Sequence, residues 1–179
     1  MTSLPDICVA QLPDAGFDWD RWTPTVRATL MFVIDRHDPA APRVLLIEKL
    51  RGFGMGKVNG PGGKIDPGET PLEAAVRETI EETGIEPIDV EPCGTIAFAF
   101  RDGLRIGVNL FRASRWQGDL RACEEADPFW CAADAIPWRR MWQDDHHWLP
   151  TVLDGGTVSA RFGFDQERMI ECHLILDQQ

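Results

Sequence analysis

Hydrophobic patterning becomes strong at residue 26, where two apolar segments flank a short polar turn. "VRATLMFVI" (26–34) and "RVLLIEKL" (43–50) are rich in aliphatic and β-branched residues, and this pattern predicts two strands. The glycine-rich residues 51–69 that follow predict a long loop with at most a short strand. Further strands are predicted at 93–101, 104–115 and 128–132, with a closing hairpin formed by 159–164 and 169–176.

Residues 70–83 predict a helix whose two ends are both marked in the sequence. Thr70 as N-cap, Pro71 at the first helical position and Glu73 three residues after the cap form a capping box. Gly84 is suited to the left-handed position that closes a helix.

A second helix is predicted to begin near Asp144 or Asp145 and to end at about Leu153. Strands flanked by two helices, with mixed connections, predict an α/β sandwich. Residues 1–24 are rich in Pro and Asp, and we interpret them as an arm that packs onto the body rather than as a domain.

The helix at 70–83 concentrates negative charge near its end. At about 100° per residue, its apolar side chains form one arc, which is expected to pack on the sheet, and Arg77, Glu78, Glu81 and Glu82 fill the opposite arc. The apolar arc consists of Leu72, Ala75, Val76, Thr79, Ile80 and Thr83. An ordinary solvated face is the simplest interpretation of the charged arc.

The energy of this arrangement argues against that simple interpretation. Like charges three or four residues apart, as in Glu78 with Glu81 and Glu82, cost roughly 0.2–0.5 kcal/mol per pair. Carboxylates in the last turn face the negative end of the helix dipole and lose roughly another 0.3–1 kcal/mol. A hard divalent cation such as Mg²⁺ removes the conflict, because it prefers carboxylate oxygens and retains water and phosphate ligands.

Charge and cysteine content exclude several classes of protein. The net charge of −11 disfavours polymeric nucleic acid and anionic membranes as partners. The five cysteines are odd in number and form no CxxC pair, so neither a disulfide framework nor a zinc site is indicated. The first residues lack a basic and an apolar signal region, and no apolar run reaches the length of a membrane span, which predicts a cytoplasmic protein. The sequence leaves monomer and homodimer open.

The segment "GGKIDPGETPLEAAVRETIEETGI" resembles the signature of the Nudix hydrolases: Gly, five residues, Glu, seven residues, then Arg-Glu-U-x-Glu-Glu-x-Gly-U, where U is a bulky aliphatic residue. The positions in register are Gly63, Glu69, Arg77, Glu78, Glu81, Glu82, Gly84 and Ile85. Thr79 is the one departure; it lies on the apolar arc, so we expect an effect on packing and none on chemistry.

The resemblance implies the Nudix fold, an α/β/α sandwich with a mixed β-sheet, for residues 25–179. It implies hydrolysis of a diphosphate bond by a water that is activated by Mg²⁺, with Mn²⁺ as the alternative ion. Glu78 and Glu82 would be the principal metal ligands, Glu81 a further or water-mediated one, and the Gly62 carbonyl an additional one. Arg77 would orient a carboxylate of the motif, for which Glu69 is the candidate.

Two further segments, residues 51–64 and 124–150, resemble the oxidised-purine nucleoside triphosphate diphosphatases, the mammalian type of MutT homologue that removes 8-oxo-dGTP and 2-hydroxy-dATP. This resemblance implies that Glu125 is an extra metal-site glutamate and a candidate general base, with Glu124 as the alternative register. It implies a nucleotide pocket formed by Thr29, Lys49, Phe53, Asn59, Trp142, Asp144, Asp145 and Trp148. In that pocket Phe53 and Trp142 would flank the base plane, Asn59 would bind the base edge, and Asp144 and Asp145 would share a proton while reading the Watson–Crick edge.

Other interpretations of these residues stay open. The alternative role for Asp144 or Asp145 is a helix N-cap, which is compatible with base recognition, and the alternative for the tryptophans is a place in the core. Val58, Pro61 and His147 depart from the mammalian type, so the pocket shape and the substrate are less constrained than the reaction. The alternatives are a Nudix hydrolase of ADP-ribose, of a dinucleoside polyphosphate or of an RNA 5′ end, and a non-catalytic Nudix-fold binding module, which would be expected to have lost motif glutamates.

Overall fold

The computed structural model describes residues 16–177. Its strands are β1 (Val26–Asp35), β2 (Arg43–Lys49), β3 (Val58–Asn59), β4 (Glu86–Ile88), β5 (Glu91–Phe100), β6 (Arg105–Ala113), β7 (Arg115–Gln117), β8 (Ala126–Ala132), β9 (Thr157–Asp165) and β10 (Arg168–Asp177). Its helices are α1 (Pro71–Thr83), α2 (Asp145–Leu153) and a 3₁₀ turn at Trp138–Arg140. Neither α-helix in the described part has the length and apolar character needed to cross a bilayer.

The strands form a mixed sheet in the order β10-β9-β5-β6-β1-β2-β3, with β8 also paired to β2. β1 runs parallel to β6, and β5 runs parallel to β9, while the other pairs are antiparallel. β4 and β7 form a separate two-stranded ribbon. Helices on a mixed sheet confirm the predicted α/β class.

The place of the cavity that the predicted site residues line follows from how β1 and β2 pair. They are in register only at Ile34 with Val44 and at Asp35 with Arg43, next to their connecting turn. Beyond that point β1 continues along β6, whereas β2 pairs with β3 and β8. The two strands therefore diverge, and the space between them opens into the interior.

Alternation along β1 builds two cores, one on each face of the sheet. Phe32 belongs to the larger cluster, which contains Trp148 of α2 and Phe162 of β9. Met31 and Val33 point the other way, into a smaller cluster that includes Ala75 of α1. This period of two is the pattern expected for a strand covered on both sides.

Helix α1 begins and ends where its capping residues predict. The Thr70 hydroxyl accepts from the Glu73 N–H at 3.3 Å, and the Thr70 N–H donates to the Glu73 carboxylate at 2.8 Å. Gly84 has a φ of 75°, and its N–H donates to Ile80 O at 2.9 Å. Thr79 is buried, and its hydroxyl donates to Ala75 O at 2.7 Å, so the polar group in the motif's aliphatic position is satisfied.

The predicted faces of α1 were wrong at two positions. Leu72, assigned to the buried arc, is 44% exposed, whereas Glu82, assigned to the solvated arc, is 2% exposed. Glu82 is buried because the loop around Gly62 lies against it, a contact that helical periodicity does not report. The short strands β4 and β7 were also missed; β4 contains Pro87, a residue that disfavours a strand prediction.

The part of the predicted N-terminal arm that the structure describes packs against the sheet. Trp19 donates through Nε1 to Glu171 at 2.6 Å, and Trp22 donates to Phe98 O at 3.3 Å. A Cβ built on Gly163 would lie 2.3 Å from the Phe17 ring, so Phe17 occupies the space that a side chain at residue 163 would need. Residues 1–15 of the predicted arm lie outside the described residues.

Gly163→Ala should destabilise the fold by about 1–3 kcal/mol, because the new methyl group overlaps the Phe17 ring. In the Phe17→Ala background the same change should have a clearly smaller effect, because its main obstacle is gone. Calorimetric unfolding of the wild type, both single variants and the double variant measures the coupling. Additive effects would show that Phe17 does not pack on Gly163.

Candidate active site

A cavity of about 690 Å³ opens between the diverging strands β1 and β2. It extends from the acidic face of α1 to the start of α2. Most residues predicted for the site line it: Thr29, Lys49, Phe53, Asn59, Gly62, Glu78, Glu125, Trp142, Asp144, Asp145 and Trp148. Arg77, Glu81 and Glu82 lie outside its lining, next to Glu78 on α1.

Arg77 organises the carboxylates at one end of the cavity. Its Nε and Nη2 donate to the two oxygens of Glu69 at 2.8 and 2.9 Å, a bidentate pair. Its Nη1 donates to Glu78 at 2.9 Å and to Glu81 at 3.2 Å, and Nη2 also donates to Lys64 O at 3.1 Å. The hydrogen bond from Arg77 is the main reason that the pKa of Glu69 lies below its usual value. Arg77 therefore contacts the candidate Glu69 and two predicted metal ligands as well.

Glu82 is the most deeply placed carboxylate of the cluster. One oxygen accepts from Lys49 Nζ at 3.1 Å, and the other accepts from the Gly62 N–H at 2.8 Å. Burial raises the pKa of Glu82, while Lys49 and the Gly62 N–H act in the opposite direction. These two donors fix the carboxylate between the glycine loop and the end of β2.

The loop at Gly62 and Gly63 approaches its neighbours too closely for side chains. A Cβ on Gly62, whose φ is 155°, would lie 2.1 Å from Thr29 O, and one on Gly63 would lie 2.4 Å from the Glu78 carboxyl carbon. The carbonyls of Pro61 and Gly63 accept from β1, at Met31 and Thr29, both at 2.9 Å. The Gly62 peptide is thereby held against the acidic cluster.

Glu125 lines the cavity and forms an ion pair with Arg51. The neighbouring Glu124 has a side chain that is 90% exposed, and one of its oxygens lies 3.6 Å from Arg51 Nη1. The hydrogen bond from Arg51 lowers the pKa of Glu125. Of the two registers left open by the sequence, the structure brings Glu125 to the cavity.

The atoms that could ligate a metal at this end of the cavity are carboxylate and carbonyl oxygens. Hard divalent cations prefer such oxygen ligands. Within residues 16–177, however, no three His, Cys, Asp or Glu side chains converge closely enough to enclose a cation. The reason is visible in the contacts: Arg77 holds Glu78 and Glu81, Lys49 holds Glu82, and Arg51 holds Glu125. The residues fit a metal chemically, and binding one requires that these ion pairs rearrange.

Two buried aspartates lie at the other end of the cavity. Asp144 Oδ2 accepts from Trp148 Nε1 at 2.9 Å, and Asp145 Oδ2 accepts from the Trp142 N–H at 2.9 Å. Burial raises the pKa of Asp144 to about 6; burial, followed by the charge of Asp144, raises the pKa of Asp145 well above its usual value. Asp144 precedes α2, yet its side chain makes no capping hydrogen bond. Asp144 Oδ1 is buried without a partner among the described residues.

The aromatic rings of this pocket contact one another. Phe53 stacks on Trp142 with ring centroids 5.3 Å apart and planes at 13°. This spacing leaves no room for a base between the two rings as they stand, whereas the prediction has them flanking the base plane. Trp148 is fully buried in the core and also lines the cavity, which combines the core and pocket interpretations.

Two smaller polar groups also face this pocket. The Asn59 side-chain oxygen accepts from the Gly60 N–H at 2.8 Å, which fixes the orientation of the amide. Thr29 is buried, and its hydroxyl has no partner among the described residues. Both residues line the cavity.

Sequence reasoning missed three contributions to the site. Arg51 and Lys57 line the cavity, and Lys57 Nζ lies 5.0 Å from the Trp142 ring centroid and 2.8 Å from Glu167. The available signal was their position beside Lys49 and Phe53 in a glycine-rich loop. The third contribution is an apolar wall, which the alternation of residues along the strands predicts only as ordinary core. It is formed by Phe98, Phe100, Ile106, Val108 and Phe164.

The chain is similar to proteins of one known family. The NUDIX domain model matches residues 24–152. The oxidized purine nucleoside triphosphate hydrolase of Danio rerio is 39% identical over 134 residues, which cover 74% of this chain and 86% of that protein. The Mus musculus protein of the same name is 37% identical over the same shares of both chains.

A solved structure supports the same relationship. The MutT protein of Bacillus halodurans superposes with a TM-score of 0.73 at 28% identity, covering 83% of this chain and 97% of that one. With the matched domain and the placement of Glu78, Glu82 and Arg77 on α1, the chain belongs to the Nudix family and is a Nudix hydrolase.

Proposed function

We propose that this protein hydrolyses purine nucleoside triphosphates with an oxidised base, such as 8-oxo-dGTP, to the monophosphate and pyrophosphate, with Mg²⁺ as its metal and Mn²⁺ as the alternative. The observation that carries the proposal is the buried Asp144–Asp145 pair at the opposite end of one cavity from Glu78. The names of the Danio rerio and Mus musculus relatives support the same substrate class.

The buried aspartate pair suits the edge of a purine. Two adjacent carboxyl groups that cannot both ionise present an acceptor from the ionised member and an O–H donor from the protonated one. A guanine edge offers N–H donors and a carbonyl acceptor side by side, which matches that pattern. The unpartnered Asp144 Oδ1 is a ready acceptor, and Asn59 adds an amide. Buried polar groups of this kind discriminate between substrates because a mismatched base leaves them unsatisfied.

The phosphate chain is proposed to lie toward α1. A divalent ion bound there would supply a more acidic water and would neutralise charge on the phosphate oxygens. Glu78, Glu82, Glu125 and the Gly62 carbonyl would hold it, with Glu81 as a further or water-mediated ligand. Arg77 orients Glu78, and the Gly62 N–H orients Glu82. Glu78 or Glu125, which both line the cavity, would accept the proton of the water.

The net charge of −11 supports a small nucleotide rather than a polymer as the substrate. The cytoplasmic location and the choice between monomer and homodimer stay predictions. The division into an arm at residues 1–24 and a hydrolase domain at 25–179 is likewise a proposal.

Turnover of a nucleotide panel tests the proposal directly. With Mg²⁺, 8-oxo-dGTP and 2-hydroxy-dATP should release pyrophosphate with a higher kcat/KM than dGTP and dATP, and EDTA should stop the reaction. ADP-ribose and diadenosine polyphosphates complete the panel. Turnover of ADP-ribose alone would refute the base-pocket assignment, and no metal-dependent turnover at all would refute the proposed reaction.

Mg²⁺ should raise the melting temperature of the wild type, because a bound cation relieves repulsion in the acidic cluster and stabilises the state that binds it. Glu82→Gln should remove most of that rise together with activity, because it loses a buried carboxylate ligand. Glu86→Gln, an exposed change on β4, is the matched control and should keep the rise. An undiminished rise in Glu82→Gln would show that Glu82 is not a metal ligand.

The buried aspartates should make stability depend on pH. Because the folded-state pKa of Asp145 lies above its unfolded value, the folded state holds the proton more tightly. Stability therefore falls as the pH rises from the unfolded-state pKa through the folded-state pKa. Asp145→Asn removes this titration and should gain stability relative to the wild type between pH 3.8, the ordinary aspartate pKa, and neutral pH. The difference in melting temperature between the two proteins, followed across that range, measures the effect. A difference that does not change with pH would contradict the raised pKa.

A further inference from the structure

Arg51 lies where its guanidinium could contact either the Glu125 carboxylate or a phosphate group in the cavity. It follows β2 at the cavity, and its half-exposed guanidinium pairs with Glu125 and lies 3.6 Å from Glu124. The backbone beneath this pair is fixed, because the Leu50 N–H donates to Glu125 O at 2.8 Å and Lys49 is in register with Ala126. The two side chains are therefore held together by the pairing of β2 with β8.

A cation bound by Glu125 would compete with Arg51 for the same carboxylate. A guanidinium and a divalent cation also repel each other at close range. If Glu125 turns to a metal, Arg51 loses its principal partner at the moment when a triphosphate needs positive charge nearby. Guanidinium groups bind phosphate oxygens through paired N–H donors, which makes phosphate the natural new partner.

Three other basic side chains near the cavity, those of Arg77, Lys49 and Lys57, are less free to exchange partners. Arg77 already donates to three carboxylates and one carbonyl. Lys49 is 23% exposed and is held by the buried Glu82. Lys57 lies over Trp142, at the base end of the cavity. Arg51, with a side chain that is 56% exposed, can swing without disturbing the core.

We propose that Arg51 is a phosphate-binding residue held in reserve: Glu125 restrains it in the metal-free protein, and it moves to the β- or γ-phosphate of the substrate when Glu125 turns to the metal. This inference rests on the proposed function. It makes metal binding and triphosphate binding cooperative, because each removes the competitor of the other.

Metal affinity without nucleotide tests the first half. Arg51→Gln should bind Mn²⁺ about twofold to fivefold more tightly than the wild type, the range expected for removing a half-exposed ion pair. Arg115→Gln is the matched control, because Arg115 forms an exposed ion pair with Asp89 at 2.8 Å on the separate ribbon; its Mn²⁺ affinity should not change. The electron paramagnetic resonance signal of free Mn²⁺ measures both. Unchanged or weaker Mn²⁺ binding by Arg51→Gln would overturn the proposal.

Phosphate discrimination tests the second half. With Mg²⁺, Arg51→Gln should bind α,β-methylene-dGTP about tenfold more weakly, equivalent to one charged hydrogen bond, and dGMP within about twofold of the wild type. The affinity of Arg51→Lys for α,β-methylene-dGTP should lie between those of the wild type and Arg51→Gln, because lysine keeps the charge and loses the paired donors. Equal weakening of both nucleotides would overturn the proposal.

These measurements do not require turnover, so a failure of the role of Arg51 can be told apart from a failure of the substrate assignment. The Mn²⁺ titration contains no nucleotide. Inorganic tripolyphosphate, titrated with Mg²⁺ in the same variants, repeats the phosphate test without a base and should show the same loss. A protein that fails to hydrolyse oxidised nucleotides but shows these affinity changes would refute the substrate assignment and support the role of Arg51.

Discussion

The acidic end of the site depends on the hydrogen bonds and ion pairs that the Arg77 guanidinium forms with Glu69, Glu78 and Glu81. Glu78, Glu81 and Glu82 repel one another on the last turns of α1, where the helix dipole opposes them as well. Arg77 compensates two of these charges directly, and by binding Glu69 it ties the loop that precedes α1 to the helix. Glu82, which Arg77 does not contact, is compensated by Lys49 and the Gly62 N–H. Each charge in the cluster thus has a partner before any ligand arrives.

The divergence of β1 and β2 determines where that cluster can act. Because the strands pair only beside their turn, the space between them becomes one cavity with an acidic end and an aspartate end. A nucleoside triphosphate has the same polarity, with a negative phosphate chain at one end and a base at the other. The buried carboxyl pair and the like-charge cluster both lower the stability of the fold. Such locally unfavourable arrangements are expected at functional sites.

The sequence predicted those features that depend on short-range contacts. The capping box at Thr70 and Gly84 is formed within a few residues, so the limits of α1 followed from it. The burial of Glu82 did not, because it comes from a loop twenty residues earlier that lies over the helix. Arg51 with Glu125, and Phe53 with Trp142, are contacts between distant segments of the chain, and no local pattern reports them. The residue types of the site and the pairing of Arg77 with Glu69 were therefore predictable, whereas partners contributed by distant segments were not.

The partners matter because they set the free energy of the empty site. A cluster of bare carboxylates would bind any divalent cation strongly and would destabilise the fold when empty. Pairing each carboxylate with a lysine, an arginine or a backbone N–H reduces that cost, and it makes a cation compete with groups already in place. Competition of this kind lowers metal affinity in the absence of substrate, and a phosphate chain that takes up the displaced side chains restores it. Under the proposed function, the cationic partners of the carboxylates would therefore link the two ligands of the reaction, although of these partners only Arg77 belongs to the family signature.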